Sequence, residues 1–133
     1  MKARLFLAEA ATGHPDGTIS MLRAGINVVW RDTAPVPFHG ALVAIVHGDL
    51  GDNGEHHFDL RCLDQDGVEL NKIDGRFGLA AGGGSMNLIL QFTTSFPRYG
   101  PYLFVLRVDQ VQLDTWTLKV NAAQASGERP AAG

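Results

Sequence analysis

The chain has 133 residues, a net charge of −3 and an apolar fraction of 45%. This length predicts one domain, large enough to form a core without cross-links. Lysine and arginine are scattered singly, which argues against nucleic acid and anionic membranes as partners. No apolar run approaches the ~20 residues of a membrane-spanning helix. The single cysteine, Cys62, excludes an internal disulfide and, without a signal-peptide pattern, predicts a cytoplasmic protein.

Glycines and prolines separate short apolar runs, a spacing typical of all-β proteins. In the first part of the chain we predict strands at residues 5–11, 18–23, 26–30 and 38–47. The segment Pro35-Val36-Pro37 is predicted to be a rigid connector that cannot lie inside a sheet. The strand at 38–47 is apolar on both faces, so it is either a central strand covered on both sides or part of a surface for self-association.

The middle of the chain continues the same pattern. We predict further strands at residues 55–63, 68–72, 73–79 and 86–92. In the first of these, Phe58, Leu60 and Cys62 face inward. Gly67 closes a turn at residues 64–67, because glycine supplies the positive φ that such turns require. A glycine-rich connector follows at residues 80–85.

A hairpin at residues 100–120 is the clearest element of the sequence. Four side chains form a core face on its first strand: Tyr102, Phe104, Leu106 and Val108. The opposite face begins with the apolar Leu103 and Val105 and ends with the charged Arg107 and Asp109. Asp109-Gln110 is short enough to be a two-residue turn, and the returning strand faces inward through Trp116, Leu118 and Val120. An isolated hairpin is only marginally stable, so a sheet must surround it.

These elements predict an all-β fold, a mostly antiparallel β-sandwich of about seven to nine strands with immunoglobulin-like or jelly-roll-like topology. A single sandwich domain is expected over residues 1–120. Residues 121–133 are rich in Ala, Gly, Ser and Pro and lack apolar anchors, which predicts a flexible C-terminal tail.

Several segments occur in an order shared with a known group of proteins. They are residues 6–11, 17–22 with Gly25, 55–60, 63–67, 100–104 and 108–109. In this order the chain resembles a family of small bacterial β-sandwich proteins known only as a domain of unknown function, over residues 3–120. The resemblance implies the fold and no established activity. Family members often carry glycine after the aspartate of the last turn, where this chain has Gln110.

Outward-facing apolar residues give the leading functional hypothesis. The candidate interface residues are Leu103, Val105, Val43, Ile45 and Trp30. Because a two-layer sandwich exposes alternate residues of each strand, such positions form a patch suited to association. The alternative is that loops or the N-terminal segment cover them. We predict a non-catalytic protein-binding or assembly module, without a cofactor, that forms a homo-oligomer or docks on another protein.

Two polar loops support an alternative function as a ligand-binding sandwich. Loops 49–55 and 64–67 carry the hard oxygen ligands that calcium prefers, and calcium or a carbohydrate is the expected ligand. The candidate residues are Asp49, Asp52, Asn53, Glu55, Asp64 and Asp66. Aspartate and asparagine are also the residues that turns prefer.

Histidines offer a weaker metal site. His56 and His57 are adjacent on one strand and point to opposite faces, so they cannot both bind one metal ion. One of them could join His47 across a hairpin, although zinc would need further ligands.

No catalytic constellation is recognised. Cys62 is predicted to be a buried hydrophobe, and Asp59 and Arg61 are predicted to form a solvated surface pair. The run Gly82-Gly83-Gly84-Ser85 lacks the lysine of a phosphate-binding loop. We therefore predict that the protein is not an enzyme.

Overall fold

The computed structural model describes residues 1–123, which form ten strands. They are β1 (Lys2–Ala8), β2 (Ala10–Gly13), β3 (Ile19–Leu22), β4 (Val28–Arg31), β5 (Val36–His47), β6 (Gly54–Leu63), β7 (Glu69–Leu79), β8 (Ser85–Phe96), β9 (Gly100–Val108) and β10 (Val111–Ala122). The all-β prediction is confirmed. All regular secondary structure in residues 1–123 is β-strand, and these residues contain no helix able to cross a bilayer.

The strands form three sheets. A three-stranded sheet has the order β1-β5-β8, a five-stranded sheet has the order β4-β10-β9-β6-β7, and β2 pairs with β3 as a separate hairpin. All pairings are antiparallel except that between β4 and β10. The mostly antiparallel arrangement agrees with a sandwich, with ten strands instead of the predicted seven to nine.

The core lies between the three-stranded and five-stranded sheets. The predicted inward face of β9 is confirmed, because Tyr102, Phe104, Leu106 and Val108 are all buried. Two aromatic pairs join the sheets: the ring centroids of Phe104 and Phe92 lie 5.6 Å apart, and those of Tyr102 and Phe96 lie 4.5 Å apart. Aromatic contacts at these distances stabilise a core beyond simple area burial.

A carboxylate ties the two sheets together at one edge. The backbone N–H of Leu5 in β1 donates to Oδ2 of Asp114 in β10 at 2.8 Å. Asp114 lies where the pairing of β10 with β9 shifts register, and its Oδ1 accepts the N–H of Thr115 at 2.8 Å. The irregularity in β10 thus supplies an acceptor for a donor of the edge strand β1.

The β2–β3 hairpin covers the middle of the outer face of the three-stranded sheet. Its Ala11 packs in a small cluster with Ala41 and Val43 of β5, and Ile19 and Ile45 pack against this cluster. Val43 is 0% exposed. The prediction that Val43 lies on an exposed face is therefore wrong. The sequence analysis assigned the two strands of the covering hairpin to the sandwich sheets, within residues 5–11 and 18–23, and so left Val43 without a cover.

The boundaries differ from the prediction in three places. The predicted first strand is two strands, because the chain leaves β1 after Ala8 and Glu9 donates its N–H to Leu22 of β3 at 3.0 Å. The predicted strands 68–72 and 73–79 form one strand, β7. Pro37 lies inside β5, contrary to prediction. It is tolerated because β1 pairs only with residues 41–47, which leaves one side of β5 unpaired at Pro37.

The predicted tail starts later than expected. Residues 121 and 122 complete β10, and Ala123 donates its N–H to Arg31 O at 2.8 Å. The rest of the predicted tail, residues 124–133, lies outside the described residues.

The turn between β9 and β10 has two residues in the left-handed region. The φ angle is 49° at Asp109 and 68° at Gln110, as a type I′ hairpin turn requires. Aspartate tolerates this conformation, and the turn also benefits because Asp109 Oδ1 accepts the N–H of His57 at 3.0 Å. Glutamine has no such advantage and its Cβ is strained there.

We therefore expect Gln110→Gly to raise the free energy of unfolding by about 0.5–1 kcal/mol, because relief of strain exceeds the added entropy of the unfolded chain. Urea denaturation would measure the change. Gln91→Gly, within strand β8, is the matched control and should lower stability. A loss of stability in Gln110→Gly would show that the turn does not strain its second residue.

Candidate binding face

In residues 1–123 no further strands lie on the outer face of the five-stranded sheet, whereas the β2–β3 hairpin covers the middle of the other outer face. With about 4.8 Å between strands, the four-residue β4 and four strands of at least nine residues give this face an area of about 650 Å². Stable interfaces bury about 600–1,000 Å² on each partner. The face is therefore large enough to support specific association.

One half of this face carries partly exposed apolar side chains between polar ones. Val28 and Trp30 of β4 lie opposite Lys119 and Asn121 of β10, and Leu103 of β9 lies opposite Thr117. Val28, Trp30 and Leu103 are all partly exposed. The structure thus leaves two of the predicted interface residues, Trp30 and Leu103, accessible on one sheet face.

The remaining interface candidates lie elsewhere or are covered. Val105 is on the predicted outer face but is only 7% exposed, so the expectation that it is open to a partner is wrong. It is flanked across the sheet by Arg61 and Thr115, and long arginine side chains lay their methylene stems over apolar neighbours. Ile45 is partly exposed and belongs to the three-stranded sheet, on the opposite side of the sandwich.

The other half of the face carries a half-buried ion pair. Arg107 of β9 forms a bidentate ion pair with Asp59 of β6: Nε lies 3.0 Å from Oδ1 and Nη2 lies 2.9 Å from Oδ2. The register places these residues directly opposite each other. Burial alone would raise the pKa of Asp59, but hydrogen bonds and charge from Arg107 outweigh it, and the pKa lies below its ordinary value. Asp59 is therefore an ionised, fixed part of the face.

Further charges of both signs surround this pair. Arg61 Nε lies 3.2 Å from Asp59 Oδ1 and 3.5 Å from Glu69 Oε1, and Lys72 Nζ lies 3.8 Å from Asp74 Oδ2. The predicted Asp59–Arg61 pair is present, but it is less solvated than expected, since Asp59 is 15% exposed and Arg107 also binds it. Alternation along each strand predicts that Asp59, Arg61 and Arg107 point outward. It does not predict that Arg107 lies opposite Asp59, because the register between β6 and β9 joins residues that are far apart in the sequence.

These side chains line a shallow concavity of about 860 Å³ between the outer sides of β6, β7 and β9. Its walls carry acidic and basic groups together: Asp59, Asp74, Arg61, Lys72, Arg76 and Arg107. A mixed, polar concavity next to an apolar area matches the composition of protein interfaces, which combine an apolar centre with a charged rim.

The histidines do not assemble a metal site. His56 Nδ1 lies 2.6 Å from Asp109 Oδ2, its Nε2 donates to the carbonyl of Asp52 at 2.6 Å, and its ring stacks on Phe77. The hydrogen bond to Asp109, followed by that to Asp52, raises the pKa of His56. His56 therefore fastens the last turn to the loop before β6. Within residues 1–123 no group of three or more His, Cys, Asp or Glu side chains is placed to hold a metal ion.

The two acidic loops lie at opposite ends of β6, which spans about 30 Å. Asp64 and Asp66 therefore cannot add ligands to a site formed by loop 49–55. At one end, Asp49 Oδ2 and Asp52 Oδ2 lie 3.0 and 3.1 Å from the Met1 ammonium group. Asn53 is exposed beside them.

The other acidic groups of these loops have structural partners as well. Glu55 pairs with Arg76 at 3.1 Å. Asp64 accepts the N–H groups of Asp66 and Val68, each at 2.9 Å, and Asp66 pairs with Arg98 at 2.9 Å. These carboxylates therefore stabilise the loops and their neighbouring strands through hydrogen bonds and ion pairs within the protein.

Cys62 is unreactive in this setting. It is 2% exposed, as its predicted inward position requires. Burial, and then the negative charge of Asp64, raises the pKa of its thiol to about 12. A thiol that stays protonated is a poor nucleophile.

Comparison with known proteins identifies a family over most of the chain. The family model described as "Family of unknown function (DUF6941)" matches residues 3–121. No curated protein matches the chain.

Proposed function

The chain belongs to this family of unknown function, and we propose that it is a non-catalytic assembly module that binds a second copy of itself through the outer face of its five-stranded sheet. The observation that carries the proposal is the contrast between the two outer sheet faces. The β2–β3 hairpin covers the apolar middle of one face, whereas the other face has partly exposed Trp30 and Leu103 beside a charged concavity.

The charge pattern favours a second copy over a partner of opposite charge. A two-fold interface brings the same patch of both subunits together, so it must be complementary to itself. The face carries Asp59, Glu69 and Asp74 together with Arg61 and Arg107. A two-fold rotation can set the acidic groups of one copy against the basic groups of the other, while Val28, Trp30 and Leu103 contribute apolar area that loses its contact with water.

We also propose a cytoplasmic location. Cys62 is a free, buried thiol, which suits a reducing compartment.

Sedimentation velocity over a concentration series tests the association. The wild type should shift from monomer to dimer, and Leu103→Glu should weaken dimerisation at least tenfold, because the dimer would bury a new carboxylate without a partner. The matched control is Leu22→Glu. Leu22 is 58% exposed on the β2–β3 hairpin, on the other side of the sandwich, and its substitution should leave dimerisation unchanged. A wild type that remains monomeric at the highest concentration would refute the proposal.

A further inference from the structure

The imidazole ring of His56 is held between two hydrogen-bond acceptors from distant parts of the chain. Nδ1 lies 2.6 Å from Oδ2 of Asp109, and Nε2 lies 2.6 Å from the carbonyl oxygen of Asp52. The side chain is 12% exposed, and its ring stacks on Phe77 with 5.5 Å between the ring centroids. Both ring nitrogens are thus fixed against acceptor oxygens.

Both contacts are hydrogen bonds only when the ring carries two protons. A neutral imidazole has one N–H and one lone pair, whereas the imidazolium ion donates from both nitrogens. The carbonyl of Asp52 has no proton to donate. The hydrogen bond from His56 lowers the pKa of Asp109, so this carboxylate is ionised and also only accepts. Loss of one proton from the ring would therefore leave a lone pair of a ring nitrogen 2.6 Å from an acceptor oxygen.

The charged groups around the ring favour the protonated form. Hydrogen bonds to Asp109 and then to Asp52, together with the negative charges of both residues, raise the pKa of His56 above its ordinary value. The Met1 ammonium lies 3.1 Å from Asp52 Oδ2 and offsets part of that charge, and the ring of Phe77 on β7 is uncharged. Both hydrogen bonds are therefore present at and below about pH 6.5, the ordinary value, and one is lost as the pH rises through the raised pKa.

Of the two segments that His56 joins, the turn between β9 and β10 depends on it more. The loop before β6 has further anchors, because Asp49 donates its N–H to Asp52 Oδ2 at 2.7 Å and Asp52 donates its N–H to Asp49 O at 3.0 Å. Both turn residues have left-handed φ angles. The turn is held to β6 by His56 and by the hydrogen bonds that Asp109 exchanges with the backbone of His57. Neutralisation of the ring therefore loosens the turn first.

We propose that His56 is a pH-dependent clamp on one end of the candidate binding face. His57, Asp109 and Gln110 line the charged concavity of that face. With both ring nitrogens protonated, the turn is fixed and this end of the face is preorganised for a second copy of the chain. After loss of one proton the turn loosens, and association must order it again, which weakens binding. The effect on association rests on the proposed function, whereas the clamp is a property of a single chain.

Hydrogen exchange of the wild type tests the clamp at a low protein concentration, without reference to association. Protection factors of the His57 and Asp109 amides should fall about fivefold between about pH 6 and about pH 9, as expected for the loss of one hydrogen bond. Protection factors already correct for the faster intrinsic exchange at high pH. The midpoint should coincide with the titration of the His56 ring, followed by NMR of its ring carbons. Protection that does not change as this ring titrates would overturn the inference.

Three variants identify the titrating group. In His56→Gln the protection factors should not depend on pH. Asp109→Asn keeps a residue that tolerates the left-handed conformation but removes the charge, so the midpoint should move to lower pH. His39→Gln is the matched control and should behave as the wild type, because the His39 ring is bonded to the uncharged hydroxyl of Thr93 at 2.9 Å. A pH dependence that persists in His56→Gln would assign it to another group, such as His57, and overturn the inference.

Sedimentation velocity at the two ends of the pH range separates this inference from the proposed function. Dimerisation of the wild type should weaken about fivefold from about pH 6 to about pH 9, and that of His56→Gln should not change. A wild type that dimerises equally well at both pH values would overturn the effect of His56 on association and leave the proposed function standing. A wild type that is monomeric at both would refute the proposed function together with this effect, whereas the clamp would still be decided by hydrogen exchange.

Discussion

Val43→Asp is expected to unfold the protein or to lower its free energy of unfolding by more than about 4 kcal/mol. Val43 is 0% exposed, and the residues packed around it are apolar: Ala11, Ala41, Ile19, Ile45 and Ile89. A carboxylate at this position would lose its hydration without gaining a partner, which is among the costliest changes a core can undergo. Thermal and urea denaturation would measure the loss.

The control for this substitution is Leu22→Asp. Leu22 lies on the same hairpin that covers Val43 but is 58% exposed, so a surface carboxylate there should change stability by no more than about 0.5 kcal/mol. If Val43→Asp were as stable as Leu22→Asp, the β2–β3 hairpin would not cover the three-stranded sheet, and Val43 would again be an interface candidate.

Phe104→Ala is expected to lower the free energy of unfolding by about 3–5 kcal/mol. The ring is 1% exposed and contacts Phe92 of the opposite sheet, so its removal leaves a cavity between the two sheets. The adjacent side chain tests the assignment of faces. Leu103 points outward and is half-buried, so Leu103→Ala should cost less than about 1 kcal/mol.

Denaturation of both alanine variants under the same conditions would measure this difference. Similar losses at the two positions would mean that β9 is covered on both sides, and the outer face of the five-stranded sheet would not be a free surface.

Local alternation explains why much of the fold could be predicted from the sequence. Tyr102, Phe104, Leu106 and Val108 repeat every second residue, and that pattern alone indicates which side of β9 is buried. The turn at Gly67 follows from local chemistry in the same way: Asp64 accepts two backbone N–H groups of the turn, and Gly67 has a φ of 78°. Such features depend on residues close together in the chain.

Features that depend on distant residues could not be predicted. The cover over Val43 comes from Ala11 and Ile19, in a hairpin whose short strands look in sequence like parts of longer ones. The Asp59–Arg107 pair requires the register between β6 and β9, and a shift of one residue would reverse every side chain. The charged half of the candidate binding face was missed for this reason.

The most direct test of self-association through the five-stranded sheet is a dilution series of amide NMR spectra, from about 1 mM to about 10 µM, which spans weak and moderate dimer affinities. Concentration-dependent shifts should occur at the backbone amides of Leu103, Thr117 and Trp30, and not at those of Ala11 or Met21 of the β2–β3 hairpin. Spectra that do not change on dilution, or changes confined to the hairpin, would contradict the proposed interface.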